Sequence, residues 1–117
     1  MKEMEITVSV LVPVYNTAPW MLKACFDSVL QQTRPVHQLV VVDDGSSDAA
    51  TLQTLKDYQQ RYPQVITMIF REHAGISVSR NAGMEQVTGS HLCFLDSDDF
   101  WSPDFSESLV ECAQATQ

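Results

Sequence analysis

The sequence predicts an α/β fold, a mainly parallel sheet with helices on both faces. Three observations carry that reading. Four short runs are apolar and rich in β-branched residues, as strands buried on both faces are. Segments of helical period alternate with them, which implies parallel strands joined by right-handed crossovers. Two acidic clusters, Asp43-Asp44 and Asp96-Ser97-Asp98-Asp99, sit where apolar runs stop. Open α/β sheets bind ligands beyond the carboxyl ends of their strands, so the clusters point to one shared site.

The elements follow in order. Residues 7–14 (TVSVLVPV) form the first strand. Leu22, Cys25, Phe26, Val29 and Leu30 then fall at i, i+3, i+4, i+7 and i+8, a single helical stripe with Thr17 and Pro19 near its start. Residues 38–42 (QLVVV) are the second strand. The second helix, about 48–62, carries Leu52, Leu55 and Tyr62 on its inner side and ends before Pro63. Residues 65–70 (VITMIF) are the third strand. The third helix, about 76–88, is poor in large apolar residues; Ala82, Gly83 and Val87 let its backbone approach the sheet, and Gly89 ends it. After the fourth strand, 91–95 (HLCFL), a fourth helix begins at Ser102-Pro103 with Phe105, Leu109, Cys112 and Ala113 on one face. The order is βαβαβαβα.

Composition narrows the function. At 117 residues and 44% hydrophobic content the chain has the size of one domain with its own core. A formal net charge of −8, from 15 acidic and 7 basic residues, argues against nucleic acid or an anionic membrane as the partner. No apolar stretch approaches the roughly 20 residues that span a bilayer, and residues 1–5 are polar rather than signal-like. A cytoplasmic location follows, at the cytoplasmic face of the membrane if a longer protein carries an anchor. Cys25, Cys93 and Cys112 are odd in number and set in apolar patterns, which reads as buried thiols rather than disulfides or a zinc site.

The acidic clusters exceed local structural need. Ser46, Ser47 or Asp48 suffices to cap the second helix, which leaves Asp43 and Asp44 surplus. Asp44 is the better placed to accept an N–H from a nucleobase; a carboxylate only accepts, so it selects an imide or amide edge such as uracil's. Ser102-Pro103 likewise supplies a helix start and leaves residues 96–99 unexplained. Hard cations such as Mg2+ or Mn2+ take one or two carboxylates plus substrate phosphates, and an Asp-x-Asp spacing suits them. In an extended segment Asp96 and Asp98 share a side while Asp99 points elsewhere, and Asp98 is the first choice for direct ligation. Five carboxylates brought together would repel by about 4 kcal/mol per close pair, which a divalent cation relieves. His37, His73 and His91 are not spaced as a metal set and read as surface or packing residues, and Trp101 reads as packing.

Four ordered motifs now carry a resemblance: Pro13-Val14-Tyr15-Asn16, Val42-Asp43-Asp44-Gly45-Ser46, His73-Ala74-Gly75 leading to Ser79-Arg80-Asn81-Ala82-Gly83, and Leu95-Asp96-Ser97-Asp98-Asp99. Together they resemble the family-2 glycosyltransferases, whose fold is the Rossmann-like GT-A type. The resemblance implies transfer of a sugar from a nucleoside-diphosphate sugar, a UDP-sugar first, to an acceptor hydroxyl on a saccharide or lipid-linked acceptor, with metal assistance and inversion, as in polysaccharide biosynthesis. It implies nucleotide binding by Pro13, Tyr15, Asn16, Asp43, Asp44 and Arg80. It implies Mg2+ or Mn2+ on Asp96 and Asp98.

The same resemblance implies that the catalytic base lies beyond Gln117, so residues 1–117 are expected to be one donor-binding domain, shortened at its C-terminal side and inactive alone. The alternative is a non-catalytic nucleotide-sugar-binding module. A phosphoacceptor domain fits less well, because no Lys follows Lys56, and no G-x-G-x-x-G follows the first strand as a dinucleotide oxidoreductase would require. An uncovered sheet edge and apolar surface also lead us to expect self-association into a homo-oligomer.

Overall fold

The computed structural model describes residues 5–115. Its elements are β1 (Val8–Val14), α1 (Pro19–Leu30), β2 (Gln38–Asp44), α2 (Ala49–Arg61), β3 (Ile66–Arg71), α3 (Ile76–Met84), β4 (His91–Phe94) and α4 (Phe105–Ala115). The βαβαβαβα order and the parallel sheet are those predicted. All pairings are parallel, in the order β3-β2-β1-β4. The chain therefore steps outward from β1 through β2 to β3, then returns to place β4 on the other side of β1. That reversal opens a crevice at the carboxyl ends of β1 and β4.

Strand alternation divides the core into two layers. Val8, Val10, Val12 and Val14 of β1 and Leu39 and Val41 of β2 face one side, where they pack with Leu22, Phe26 and Val29 of α1, Leu55 and Tyr58 of α2 and Val110 of α4. Leu11, Val40 and Val42 face the other, which α3 covers. Burial on both faces explains why β1 and β2 read as continuous apolar runs.

Several boundaries differ from the sequence reading, each for a physical reason. β2 extends through both acids to Asp44, because Val14 pairs with Asp43 on one side and Phe70 and Arg71 pair with Asp43 and Asp44 on the other. Ladder hydrogen bonds outweigh the poor strand preference of Asp. α3 ends at Met84 rather than near residue 88. Buried Gln38 takes over the backbone there: its Oε1 accepts the Thr88 N–H at 3.0 Å and its Nε2 donates to the Gln86 carbonyl at 2.8 Å. In α2, Asp48 is the cap, accepting the Thr51 N–H at 3.0 Å; Thr51, Thr54, Leu55 and Tyr58 are buried, while Leu52 and Tyr62 are half-buried.

α4 starts at Phe105, later than Ser102-Pro103, and its inner face is set by Ser106 and Val110 rather than by Phe105 and Cys112. The Ser106 N–H donates to Gln32 Oε1 at 2.7 Å and its hydroxyl to the Arg34 carbonyl, two polar anchors that fix the rotation of the helix. Phe105 stays exposed and stacks on Trp101, which packs as expected. The buried-thiol expectation holds for Cys25 alone, since Cys93 is half-buried and Cys112 exposed. Except for Glu5, the polar amino-terminal stretch lies outside the described residues.

Gly83 is where α3 meets the sheet. A Cβ there would lie 2.5 Å from Leu11 Cδ1 and 2.9 Å from Val42 Cγ2, both on fully buried side chains. Gly83→Val is expected to destabilise the fold by roughly 2 kcal/mol or more, since overpacking outweighs any gain in helix propensity. Chemical denaturation measures it; an unchanged midpoint would mean that α3 does not sit against the sheet at this point.

Candidate functional site

A cleft of about 640 Å³ opens at the predicted end of the sheet. It is lined by the end of β1 and the turn after it, by Asp44 from β2, by the segment leading into α3 and by the turn after β4. Of the residues singled out in the sequence, Pro13, Tyr15, Asn16, Asp44, Asp96 and Asp98 line it. Asp43 and Arg80 do not. Asp43 is buried on the opposite side of β2, its Oδ2 accepting the Ser46 N–H at 3.2 Å and its Oδ1 without a partner among the described residues. Arg80 stands at the rim, where its Nη2 lies 3.8 Å from Asp96 Oδ1 and its guanidinium covers the Phe94 ring at 5.3 Å.

Asp44 organises the base of the cleft. Only 5% exposed, it accepts the Ala74 N–H at 2.8 Å on one oxygen and the Gly75 N–H at 3.0 Å on the other. His73 Nδ1 lies 2.9 Å from the second oxygen and 3.2 Å from the Asp44 carbonyl. Both are acceptors, so Nδ1 carries the proton. Burial pushes the Asp44 carboxyl up, but the Ala74 and Gly75 N–H groups, with smaller contributions from Ser79 and His73, outweigh it and hold it below the usual carboxylate range. His73, read from sequence as surface or packing, is more than half exposed and stacks on Tyr15 with centroids 4.3 Å apart at the cleft wall. Its place two residues past the end of β3, at the same edge as the acidic pairs, was the available signal.

The turns around the cleft are locked to one another. Asn16 adopts φ 52°, a left-handed conformation that Asn tolerates, and its Oδ1 accepts the Ser47 and Asp48 N–H groups at 2.8 and 3.0 Å. Its side-chain carbonyl thus holds the start of α2. Gly45 has φ 74°, and a Cβ there would lie 2.5 Å from the His73 nitrogen, so the turn after β2 rests directly on the turn after β3.

Past β4 the backbone turns, with the Asp99 N–H donating to the Asp96 carbonyl at 3.0 Å. The turn corrects the extended-strand expectation: Asp96, Asp98 and Asp99 all bring a carboxylate oxygen within 4.8 Å of one another, and all are exposed. Thr17 and Ser97 share a 2.6 Å hydrogen bond that ties this turn to the one between β1 and α1. Beneath it Cys25 donates to the Asp96 carbonyl at 3.7 Å, its thiol pushed up to about 12 by burial and by Asp99, Asp98 and Asp96.

A family-level match to "Glycosyl transferase family 2" covers residues 9–117. The chain belongs to that family. Among its relatives, glycosyltransferase GlyA of Streptococcus pneumoniae is 37% identical over 89% of this chain and 14% of its own length. The glycosyltransferase YibD of Escherichia coli is 34% identical over 91% of this chain and 30% of its own. This family-2 chain thus spans a third or less of these relatives.

Solved structures agree on the GT-A fold. TarS of S. aureus in complex with UDP superposes with a TM-score of 0.80 at 28% identity, covering 94% of this chain and 32% of that one. The mannosyltransferase PcManGT from Pyrobaculum calidifontis, in complex with GDP-Man and Mn2+, gives 0.78 at 26% identity, over 89% and 31%. No helix among the described residues is long and apolar enough to cross a membrane.

The lowered Asp44 ionisation links the cleft to acid stability. Because its folded pKa lies below the unfolded value near 4, Asp44 stabilises the fold above that pH and stops doing so as pH falls through the folded value. Thermal melts from about pH 7 to about pH 3 should show wild type losing more stability than Asp44→Asn, the two curves converging in acid. Parallel curves would show that the Asp44 charge carries no folding energy.

Proposed function

We propose that this protein transfers a sugar from a nucleoside-diphosphate sugar, a UDP-sugar first, to an acceptor hydroxyl, with inversion, and that residues 1–117 form the donor and metal site of a cytoplasmic enzyme of polysaccharide biosynthesis. One observation carries the reading. Asp44, Tyr15 and Asn16, and Asp96 and Asp98, come from three different strand ends and line one cleft. Asp44 and the aromatic pair Tyr15–His73 define the end for the base, and Asp96, Asp98 and Arg80 the end for the diphosphate.

Three exposed carboxylates within 4.8 Å of one another are a hard, oxygen-only donor set that fits Mg2+ or Mn2+. Asp96 and Asp98 would hold such a cation, which would supply charge neutralisation for the departing diphosphate. The chain's own residues do the rest. Arg80, poised beside Asp96, donates to the phosphate oxygens as negative charge develops on them. Asp44 keeps its charge at neutral pH and retains acceptor capacity for a base N–H beyond the bonds it already makes. The acceptor's base is assigned to sequence after Gln117, and the acceptor to a saccharide or lipid-linked alcohol. Exposed Phe94, 48%, and Phe100, 73%, lie on and after the edge strand β4 and are the surface through which we propose self-association.

Calorimetry with UDP and Mn2+ tests the donor site. Wild type should bind UDP only weakly after chelation, and Asp98→Ala should lose the metal dependence. Arg80→Ala should weaken UDP by about tenfold, the worth of a hydrogen bond to a charged group. UDP affinity indifferent to metal and to Asp98→Ala would refute the site. Binding without hydrolysis of a UDP-sugar by the full-length protein would favour the non-catalytic module.

A further inference from the structure

Gly75, φ 101°, immediately precedes α3 and has no side chain with which to cap the helix. What holds the turn into the helix comes from elsewhere in the chain. Asp44, at the end of β2, accepts the Ala74 and Gly75 N–H groups and His73 Nδ1, so three donors of the turn into α3 converge on one buried carboxylate. Further along, Gly83 seats the helix against Leu11 and Val42. A short helix whose entry turn is held and which is seated near its end has little freedom to shift or rotate.

Arg80 lies between those two attachments. Its Nε is buried and has no hydrogen-bond partner among the described residues, and what holds its tip is a 3.8 Å pairing with an exposed Asp96 and the face of Phe94. Such contacts at partly exposed sites are weak, so they do not set the position of the guanidinium. The helix sets it. Five residues of helical rise, about 7 Å, separate the anchored turn from Arg80.

We infer that Asp44 is a positioning residue for the diphosphate end of the cleft: by anchoring the turn that leads into α3 it fixes where Arg80 stands, so that α3 couples the base end of the site to the phosphate end. The inference rests on the donor-site reading above. Its content is that Asp44 acts on a ligand that has no base.

Inorganic pyrophosphate with Mn2+ is that ligand. Wild type, Asp44→Ala, Arg80→Ala and the double variant are titrated with it by calorimetry. Arg80→Ala should weaken binding by about tenfold. Asp44→Ala should weaken it several-fold although pyrophosphate offers nothing to a base-reading carboxylate, and the double variant should bind no worse than Arg80→Ala. Amide exchange at residues 76–80 should quicken in Asp44→Ala while β1 and β2 stay protected, a readout that general unfolding would not produce.

If Asp44→Ala does not fold, Asp44→Asn, which keeps the shape and one acceptor oxygen, replaces it in the same comparison. Pyrophosphate affinity unchanged in the Asp44 variant, with UDP affinity reduced, overturns the inference and leaves Asp44 acting on the base alone. Wild type that binds pyrophosphate but not UDP removes the nucleotide reading while the coupling is still measured. Wild type that binds neither removes both.

Discussion

Parallel pairing of β1 with both of its neighbours is the constraint on which the site depends. Parallel strands bring all their carboxyl ends to one edge, and here the chain leaves β1 towards β2 and later returns to its other flank with β4. The turns after β1, β2, β3 and β4 are therefore gathered on a single rim whatever their sequences. Burial of Val10, Leu11 and Val12 at the sheet centre provides the energy that holds this arrangement, so polar residues at the strand ends are positioned by an apolar core they do not belong to.

The rim handles negative charge in two ways. Asp44 is buried and keeps its charge because backbone N–H groups and an imidazole point at it. Asp96, Asp98 and Asp99 are exposed, and water screens their mutual repulsion. The first arrangement is anchored within the protein, which holds the carboxylate in one place at the cleft. The second is left open, with oxygen atoms crowded together and accessible.

Much of this was legible in the residues because the signals were periodic or repeated. Strands buried on both faces announce themselves as unbroken apolar runs, the stripe of Leu22, Cys25, Phe26 and Val29 has one helical reading, and acids at two strand ends have one topological meaning. Information carried by contacts between distant residues was hidden. α3 ends where Gln38, nearly fifty positions away in sequence, reaches the backbone of residues 86–88. α4 turns its face according to Gln32 and Arg34. Asp99 joins its neighbours because the backbone turns after β4, which residue type alone does not reveal. Asn16, singled out for a ligand, also spends its side-chain carbonyl on the start of α2, and His73 gains its place only from Asp44 and Tyr15.

The backbone-on-backbone contact at Gly45 bears on how this surface diversifies. With a left-handed φ and the His73 nitrogen where a first side-chain carbon would go, the position accepts no other residue without parting the two loops that meet there. Substitutions at Tyr15 and His73, whose side chains project from the loops, can reshape this wall of the cleft while the path of the loops stays pinned at Gly45.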